Sequence, residues 1–305
     1  MSAPARSPLE GLETVDWADL HHAYGPATDV PGQLAALLSA DAEERYEAHQ
    51  QLRGNVYHQG TRWQASRHVV PFLTELVDDP ATPDRAAVVD LLRDIALGDR
   101  DDTHLPFEPA REFARAENVT STDVAAVLDW LYDDDGDGDE PEESDAVAVS
   151  WDRDAYLAAA AVSDRFAAWT NDPDPMIAAG TAELLVWFPA TQPVVSRLME
   201  IPAAEGRQVA RASANLSLGY LAPDDPAVDN RLTDLLAAGT FGVQLTAAVA
   251  LALRLGDRIP DAGLQVLAEA RDHADEITET TFPMPWHRSL LGFTALALYR
   301  IGLSP

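Results

Sequence analysis

Apolar residues recur every three or four positions along most of the chain, and polar residues fill the positions between them. This spacing places the apolar side chains on one face of an α-helix. Strand-like alternation of apolar and polar residues is almost absent. The sequence therefore predicts a mainly helical protein with no sheet of three or more strands. Two such apolar sets are Val69, Val70, Phe72, Leu73 and Leu76, and then Val88, Val89, Leu91, Leu92 and Ile95.

Several helical segments end in a similar Leu-x-Leu-Gly sequence, and Asp-Pro pairs separate some of them. The copies end at Gly98, Gly219 and Gly256, with a looser copy at Gly302. The last three glycines are 37 and 46 residues apart. Self-similarity at this period is typical of helical repeat arrays. The predicted fold class is all-α, an α-solenoid of antiparallel helix pairs over residues 1–305.

The repeats fall into two runs. Residues 14–99 form an N-terminal run, in which Val15–Tyr24 is predicted as a short first helix and a later helix ends near Leu52. Residues 151–305 form a C-terminal run. Residues 100–150 interrupt the repeat pattern, and we interpret them as an irregular insertion. Within it, residues 133–143 are too rich in Asp, Glu and Gly to pack, so we expect a mobile acidic loop.

The paired helices with Asp-Pro junctions resemble HEAT repeats over most of the chain. A shorter segment of about 20 residues, from Gly54 to Ser66 and on through Val70-Pro71-Phe72-Leu73, is similar to a stretch of uncharacterised bacterial HEAT-repeat proteins. The resemblance implies an α-solenoid that binds other macromolecules. It implies no settled activity.

The chain is strongly acidic, with 51 Asp and Glu against 21 basic residues and a formal charge of −30. Every one of these bases is arginine. A GC-rich genome or adaptation to high salt would explain this composition, and so would attraction of a basic partner; the sequence leaves all three open. Nucleic acid and anionic membranes are disfavoured as partners, because both require clustered basic residues.

Several classes of chemistry are excluded or disfavoured. The absence of cysteine excludes disulfides, zinc–thiolate sites and thiol nucleophiles. The first 30 residues lack the apolar core of a signal peptide, and no apolar run approaches the roughly 20 residues of a membrane span. We therefore expect a soluble cytoplasmic protein. No phosphate-binding loop, dinucleotide fingerprint, nucleophile elbow or His-Glu ligand pair is present. We expect no cofactor, and the oligomeric state stays open.

The most unusual polar stretch is the segment Gly54–Arg62. In one interpretation its residues only connect two helices: Gly54 ends one helix in a left-handed conformation and Thr61 caps the next. In the other interpretation the segment is a recognition patch on the edge of the solenoid, since Tyr and Arg often anchor interfaces. A dispersed enzyme site near the same segment is the rival hypothesis. The candidate binding residues are Asn55, Tyr57, His58, Gln59 and Arg62.

The acidic segment partly matches a calcium-binding loop. Asp133, Asp135 and Asp137 take the first, third and fifth positions, but Ser144 occupies the twelfth position, where a bidentate Glu is needed. These three aspartates are therefore weak metal candidates, and a solvated acidic loop is the favoured interpretation. The predicted function is a non-enzymatic scaffold or adaptor that binds a basic protein. An immunity-type inhibitor that occludes a basic toxin enzyme is one specific version.

Overall fold

The computed structural model describes residues 7–133, 139–237, 240–272 and 284–303. About 65% of the protein is helical, which confirms the prediction of a mainly helical chain. Within the described residues the strands form two short antiparallel hairpins and no larger sheet. The strands are β1 (His21–His22), β2 (Gly25–Pro26), β3 (Tyr57–His58) and β4 (Thr61–Arg62).

The α-helices are numbered in chain order. The first seven are α1 (Val30–Ala36), α2 (Ala42–Val56), α3 (Ser66–Asp78), α4 (Arg85–Leu97), α5 (Pro109–Glu112), α6 (Ser121–Leu131) and α7 (Ser144–Trp169). The next seven are α8 (Pro175–Leu185), α9 (Gln192–Glu200), α10 (Gln208–Tyr220), α11 (Pro226–Leu235), α12 (Phe241–Leu255), α13 (Asp261–Asp272) and α14 (Leu290–Arg300). Within the described residues, single turns of 3-10 helix lie at Leu12–Thr14, Asp102–His104, Ala114–Ala116 and Gly256–Arg258.

The chain forms two compact units. The first unit contains residues 1–100 and 107–162, and the second contains residues 101–106 and 163–305. Residues 107–162 therefore pack with the N-terminal helices. In the first unit α1 packs on α2, and α3 packs on α4. Among the described residues, no helix combines the length and the apolar character that a membrane span requires.

In the second unit, alternate helices lie side by side. Helix α10 packs between α8 and α12, α12 also packs on α14, and the intervening helices α9 and α11 lie against α10 and α12. Small residues allow the close approach: a Cβ at Gly219 would fall 3.1 Å from the Cα of Ala250. Ser213 and Ser217 donate hydrogen bonds to the carbonyls of Ala179 and Ala182 on α8, so the polar atoms of these two buried serines have partners.

Asp-Pro pairs start two of these helices. The carboxylates of Asp174 and Asp225 accept hydrogen bonds from the backbone N–H groups of Met176 and Ala227, at 2.8 and 2.9 Å. Proline follows each aspartate at the first helical position, where its missing N–H leaves no bond unmade. These two Asp-Pro junctions are therefore helix N-caps.

Buried arginines stabilise helix C-termini in the second unit. Arg254 donates to the carbonyls of Leu218 and Leu221 at the end of α10, and its Nε lies 2.6 Å from Asp229. Arg211 donates to three carbonyls at the end of α9, those of Leu198, Met199 and Ile201. A guanidinium matches this task because it is planar, carries five donors and complements the negative end of the helix dipole.

Several of the local predictions are wrong. Val15–Tyr24 is not a helix, because Leu12–Thr14 is a single 3-10 turn and β1 begins at His21. Helix α2 does not end near Leu52 but continues to Val56, and the chain becomes extended only at Tyr57, where φ is −142°. Gly54 is therefore helical and does not end the helix in a left-handed conformation. Thr61 lies in β4 and does not cap α3, whose N-cap is Ala65. Asn55 and Val56 also belong to the helix.

Candidate functional site

The segment Gly54–Arg62 contains a tight β-hairpin. Tyr57 pairs with Arg62 and His58 pairs with Thr61. The two turn residues, Gln59 and Gly60, have φ values of 49° and 87°. Positive φ at both central positions is typical of a type I′ turn, whose backbone twist matches that of the two paired strands. The φ of 87° at Gly60 favours glycine, and a Cβ there would also press on Oδ2 of Asp99, which would have to shift.

A second hairpin lies beside the first. In this one, His21 pairs with Pro26 and His22 pairs with Gly25. Tyr24 lies at its tip and is 67% exposed. The hydroxyl of Tyr24 is 3.2 Å from Nδ1 of His58, and the two rings meet edge to face with centroids 5.2 Å apart. The two hairpins therefore present Tyr24 and His58 together.

A polar network around Asp29, whose own side chain is 51% exposed, holds the His21–Pro26 hairpin against α2. The backbone N–H of Tyr24 donates to Nδ1 of His22, so the proton of a neutral imidazole lies on Nε2, which is 2.8 Å from Asp29. Asn55 donates to the same carboxylate at 2.9 Å, and its backbone carbonyl accepts from Ala23. Asn55 is thus a structural residue, only 7% exposed.

Arg62 is buried at the end of the Tyr57–Arg62 hairpin, where it is 1% exposed. Its Nη2 lies 2.9 Å from Oδ2 of Asp152, while Nη1 donates to the carbonyl of Gly60. The Nη2 contact lacks hydrogen-bond geometry, so we treat it as an ion pair. Burial lowers the pKa of Arg62, and the Asp152 charge opposes this shift. Burial likewise raises the pKa of Asp152, against the effect of Arg62. The pair fixes β4 to α7.

Tyr57 is also largely buried, at 9% exposure. Its hydroxyl donates to Asp99, and the guanidinium of Arg53 lies over its ring, 5.5 Å from the centroid. Burial first, and then the bond to Asp99, raises the pKa of Tyr57. The phenol therefore stays protonated, and it links the hairpin to the residue that closely follows α4.

The five candidate residues divide into two groups. Asn55, Tyr57 and Arg62 are buried and support the hairpins. His58 and Gln59 lie at the hairpin tip, where Gln59 is exposed and His58 is half-buried. Any contact with a partner at this segment must use the tip residues, with Tyr24 of the other hairpin beside them. Arg62 is too buried to reach a substrate, so the geometry gives no support to an enzyme site at this segment.

Tyr24 was missed because its segment was predicted as helix. A signal was present. Residues 22–25 read His-Ala-Tyr-Gly and residues 57–60 read Tyr-His-Gln-Gly, and each precedes a helix that carries Val-Pro, at Val30-Pro31 and Val70-Pro71. Comparing these two copies would have identified the His21–Pro26 hairpin.

An open pocket of about 670 Å³ lies in the first unit, beside the His21–Pro26 hairpin and the end of α6. Its walls combine aromatic rings with carboxylates, and no arginine lines it among the described residues. We call it the acidic aromatic pocket. Its polar and aromatic lining consists of His21, Asp129, Trp130, Tyr132, Asp133 and Asp139.

The aromatic wall of this pocket is held in place by defined contacts. The rings of His21 and Tyr132 stack with centroids 5.2 Å apart, and the Tyr132 hydroxyl donates to the carbonyl of His22. Burial raises the pKa of Tyr132 to about 12, so its ring stays neutral at physiological pH. Asp129, Asp133 and Asp139 are exposed. The pocket lies at the C-terminus of α6, and the negative end of this helix dipole adds to the negative potential of the three carboxylates.

The calcium-loop candidates are only partly described. Asp133 lines the acidic aromatic pocket, whereas Asp135 and Asp137 lie outside the described residues, as does part of the segment expected to be a mobile loop. Within the described residues, no three His, Asp or Glu side chains are grouped so that they could hold a metal ion.

Comparison with known proteins adds no family to this description. The chain matches no protein-family model, no curated protein and no solved structure.

Proposed function

We propose that this protein is a non-enzymatic binding protein that captures a basic protein partner, with the acidic aromatic pocket receiving an arginine or lysine side chain. The observation that carries the proposal is the composition of that pocket, which three carboxylates line together with aromatic rings. A guanidinium or ammonium group is attracted both to carboxylates and to the face of an aromatic ring. The HEAT-like stacking of helices inferred from the sequence would supply the supporting scaffold.

The distribution of charge supports this proposal. Even if every base paired with one acid, 30 acids would remain, the difference between 51 and 21. Several arginines are also committed to internal contacts: Arg62 is 1% exposed, and the side chains of Arg211 and Arg254 are fully buried. The excess of acidic residues gives the protein a negative field, which would speed encounter with a basic protein. An inhibitor that occludes a basic enzyme is one form that this function can take.

Affinity capture with matched variants tests the proposal. The purified protein is immobilised and exposed to extract from its own source organism, in parallel with an Asp129→Asn/Asp133→Asn variant. The control, Asp224→Asn/Asp234→Asn, removes the same charge from exposed positions of the second unit. We expect a basic protein that is retained by the wild type and the control but lost from the pocket variant.

The kinetics of the captured complex provide a second readout. Association should slow as salt rises, because exposed charges are screened beyond about 8 Å at physiological ionic strength. Retention of the same proteins by all three forms, or salt-independent association, would refute the proposal.

A further inference from the structure

A second pocket, of about 230 Å³, also lies in the first unit, between the start of α3, the start of α6 and the first half of α7. Its chemistry is the opposite of that of the acidic aromatic pocket. Two arginines, Arg67 and Arg153, line it together with Asp154, Trp63 and Trp151. We call it the arginine pocket.

The two arginines converge on one carboxylate. Nη1 of Arg67 lies 3.0 Å from Oδ2 of Asp154, and Nη2 of Arg153 lies 3.2 Å from Oδ1. Arg67 also donates to His68, and Arg153 donates to the carbonyl of Ala116. A guanidinium carries five N–H donors. In the described structure these contacts use at most three of the five N–H donors of each arginine, so at least two donors on each remain for a ligand.

The local charge therefore favours an anion. Among the side chains that line the pocket, two arginines stand against one aspartate, in a chain whose total charge is −30. The N-terminus of α6 is already capped, because the hydroxyl oxygen of Thr120 accepts from the backbone N–H of Asp123, and the Asp123 carboxylate accepts from the N–H and the hydroxyl of Thr120. Planar guanidinium groups match a carboxylate, which can accept two parallel hydrogen bonds.

The other wall of the pocket is apolar. Trp63 and Trp151 stack with centroids 5.5 Å apart, and Trp151 belongs to a buried cluster with Val127 and Val147. Within the described residues, the buried Nε1–H of Trp63 has no acceptor. The pocket thus joins a cationic end to an aromatic wall.

We infer that the arginine pocket binds a small carboxylate attached to an aromatic or apolar group. The volume is below the roughly 300–1,000 Å³ of pockets that enclose drug-sized ligands, so the occupant is small. The same chemistry occurs in a free aromatic acid and in the C-terminal residue of a peptide. This inference does not depend on the proposed function, because it involves a different pocket, different residues and the opposite charge.

The test uses defined probes of matched shape. Binding of phenylacetate, 2-phenylethanol and 2-phenylethylamine to the intact protein is measured by saturation-transfer NMR and by quenching of tryptophan fluorescence. We expect phenylacetate to bind at least tenfold more tightly than the neutral alcohol, and the amine to bind most weakly. The tripeptide Ala-Ala-Phe and its C-terminal amide distinguish the two sources. Tighter binding of the free tripeptide than of phenylacetate would identify a chain terminus, and the reverse order would identify a free acid.

Variants connect the binding to the arginines. Arg67→Gln, at a half-exposed position, and Arg153→Gln should each weaken phenylacetate binding at least fivefold. Arg197→Gln, which removes an exposed arginine of the second unit, should leave it unchanged. If Arg153→Gln unfolds because its bond to Ala116 is lost, the affinity of Arg67→Gln for phenylacetate alone shows whether the arginine pocket binds the carboxylate. Equal binding of phenylacetate and phenylethylamine, or full affinity in Arg67→Gln, would overturn the inference.

Discussion

Gly98, at the end of α4, lies directly against the guanidinium of Arg62. A Cβ added at position 98 would fall 1.7 Å from Nη1 of the arginine, and Gly98 has a φ of 68° and a ψ of −144°. The first glycine of the Leu-x-Leu-Gly pattern therefore ends α4 and also leaves space for the Arg62 side chain of the Tyr57–Arg62 hairpin. It makes room for the ion pair between Arg62 and Asp152.

Gly98→Ala should destabilise the protein by at least about 3 kcal/mol, since a strained backbone alone costs on the order of 1–3 kcal/mol and the displaced arginine is buried. Urea denaturation followed by circular dichroism measures this. The control is Gly54→Ala, because Gly54 is helical and a Cβ there would meet nothing within 4 Å. That change should stabilise the protein by about 0.5–1 kcal/mol. Equal effects of the two changes would contradict the packing of Gly98 on Arg62.

Arg254→Lys should destabilise the protein by roughly 2–4 kcal/mol although the charge is retained. The fully buried guanidinium bonds several carbonyls and Asp229 at once, and each hydrogen bond of a charged group contributes about 1.5–3 kcal/mol. The ammonium group of lysine cannot reach both sets of acceptors. Arg197→Lys is the control, since its contact with Glu200 is exposed and should change stability by less than about 0.5 kcal/mol. A small effect at position 254 would show that charge alone stabilises the end of α10.

The helices could be predicted from the sequence because their signals are local. The apolar period and the Asp-Pro caps at Asp174 and Asp225 act within a few residues, and both appear in the structure. The hairpins depend on distant partners. Asp152, which binds Arg62, is 90 positions away in the chain, and Tyr132, which donates to the carbonyl of His22, is 110 positions away. Reading one segment at a time could not show that Arg62 is buried or that Tyr24 meets His58.

Stability should fall below about pH 6.5 in a way that depends on His68. Burial first, and then the charge of Arg67, lowers the pKa of His68 from its ordinary value of 6.5. Between these two pKa values the unfolded chain binds more protons than the folded chain, so the stability contribution is present above pH 6.5 and is lost as pH falls through the folded pKa. Melting temperatures of the wild type and His68→Gln between pH 8 and pH 5 measure the difference. Glutamine can still accept from Arg67, and parallel curves for the two proteins would contradict the assignment.

Substitutions at the hairpins should separate supporting residues from surface residues. Tyr57→Ala and Arg62→Ala should each cost about 3 kcal/mol or more, because one leaves a cavity and the other leaves Asp152 without its counter-charge. Tyr24→Ala and His58→Ala remove exposed or half-buried groups and should change stability by less than about 1 kcal/mol. Chemical denaturation measures all four.

This difference decides how binding can be tested at the hairpins. A loss of affinity in Tyr57→Ala or Arg62→Ala cannot distinguish a lost contact from a lost fold, since both residues hold the hairpin in place. Tyr24→Ala and His58→Ala can make that distinction, because the Asp29 network and the Arg62–Asp152 pair remain intact in both. If a captured basic partner binds these two variants with unchanged affinity, the hairpin tips are not part of the interface. Unfolding of Tyr24→Ala at a much lower urea concentration would instead show that the tip contact with His58 supports the fold.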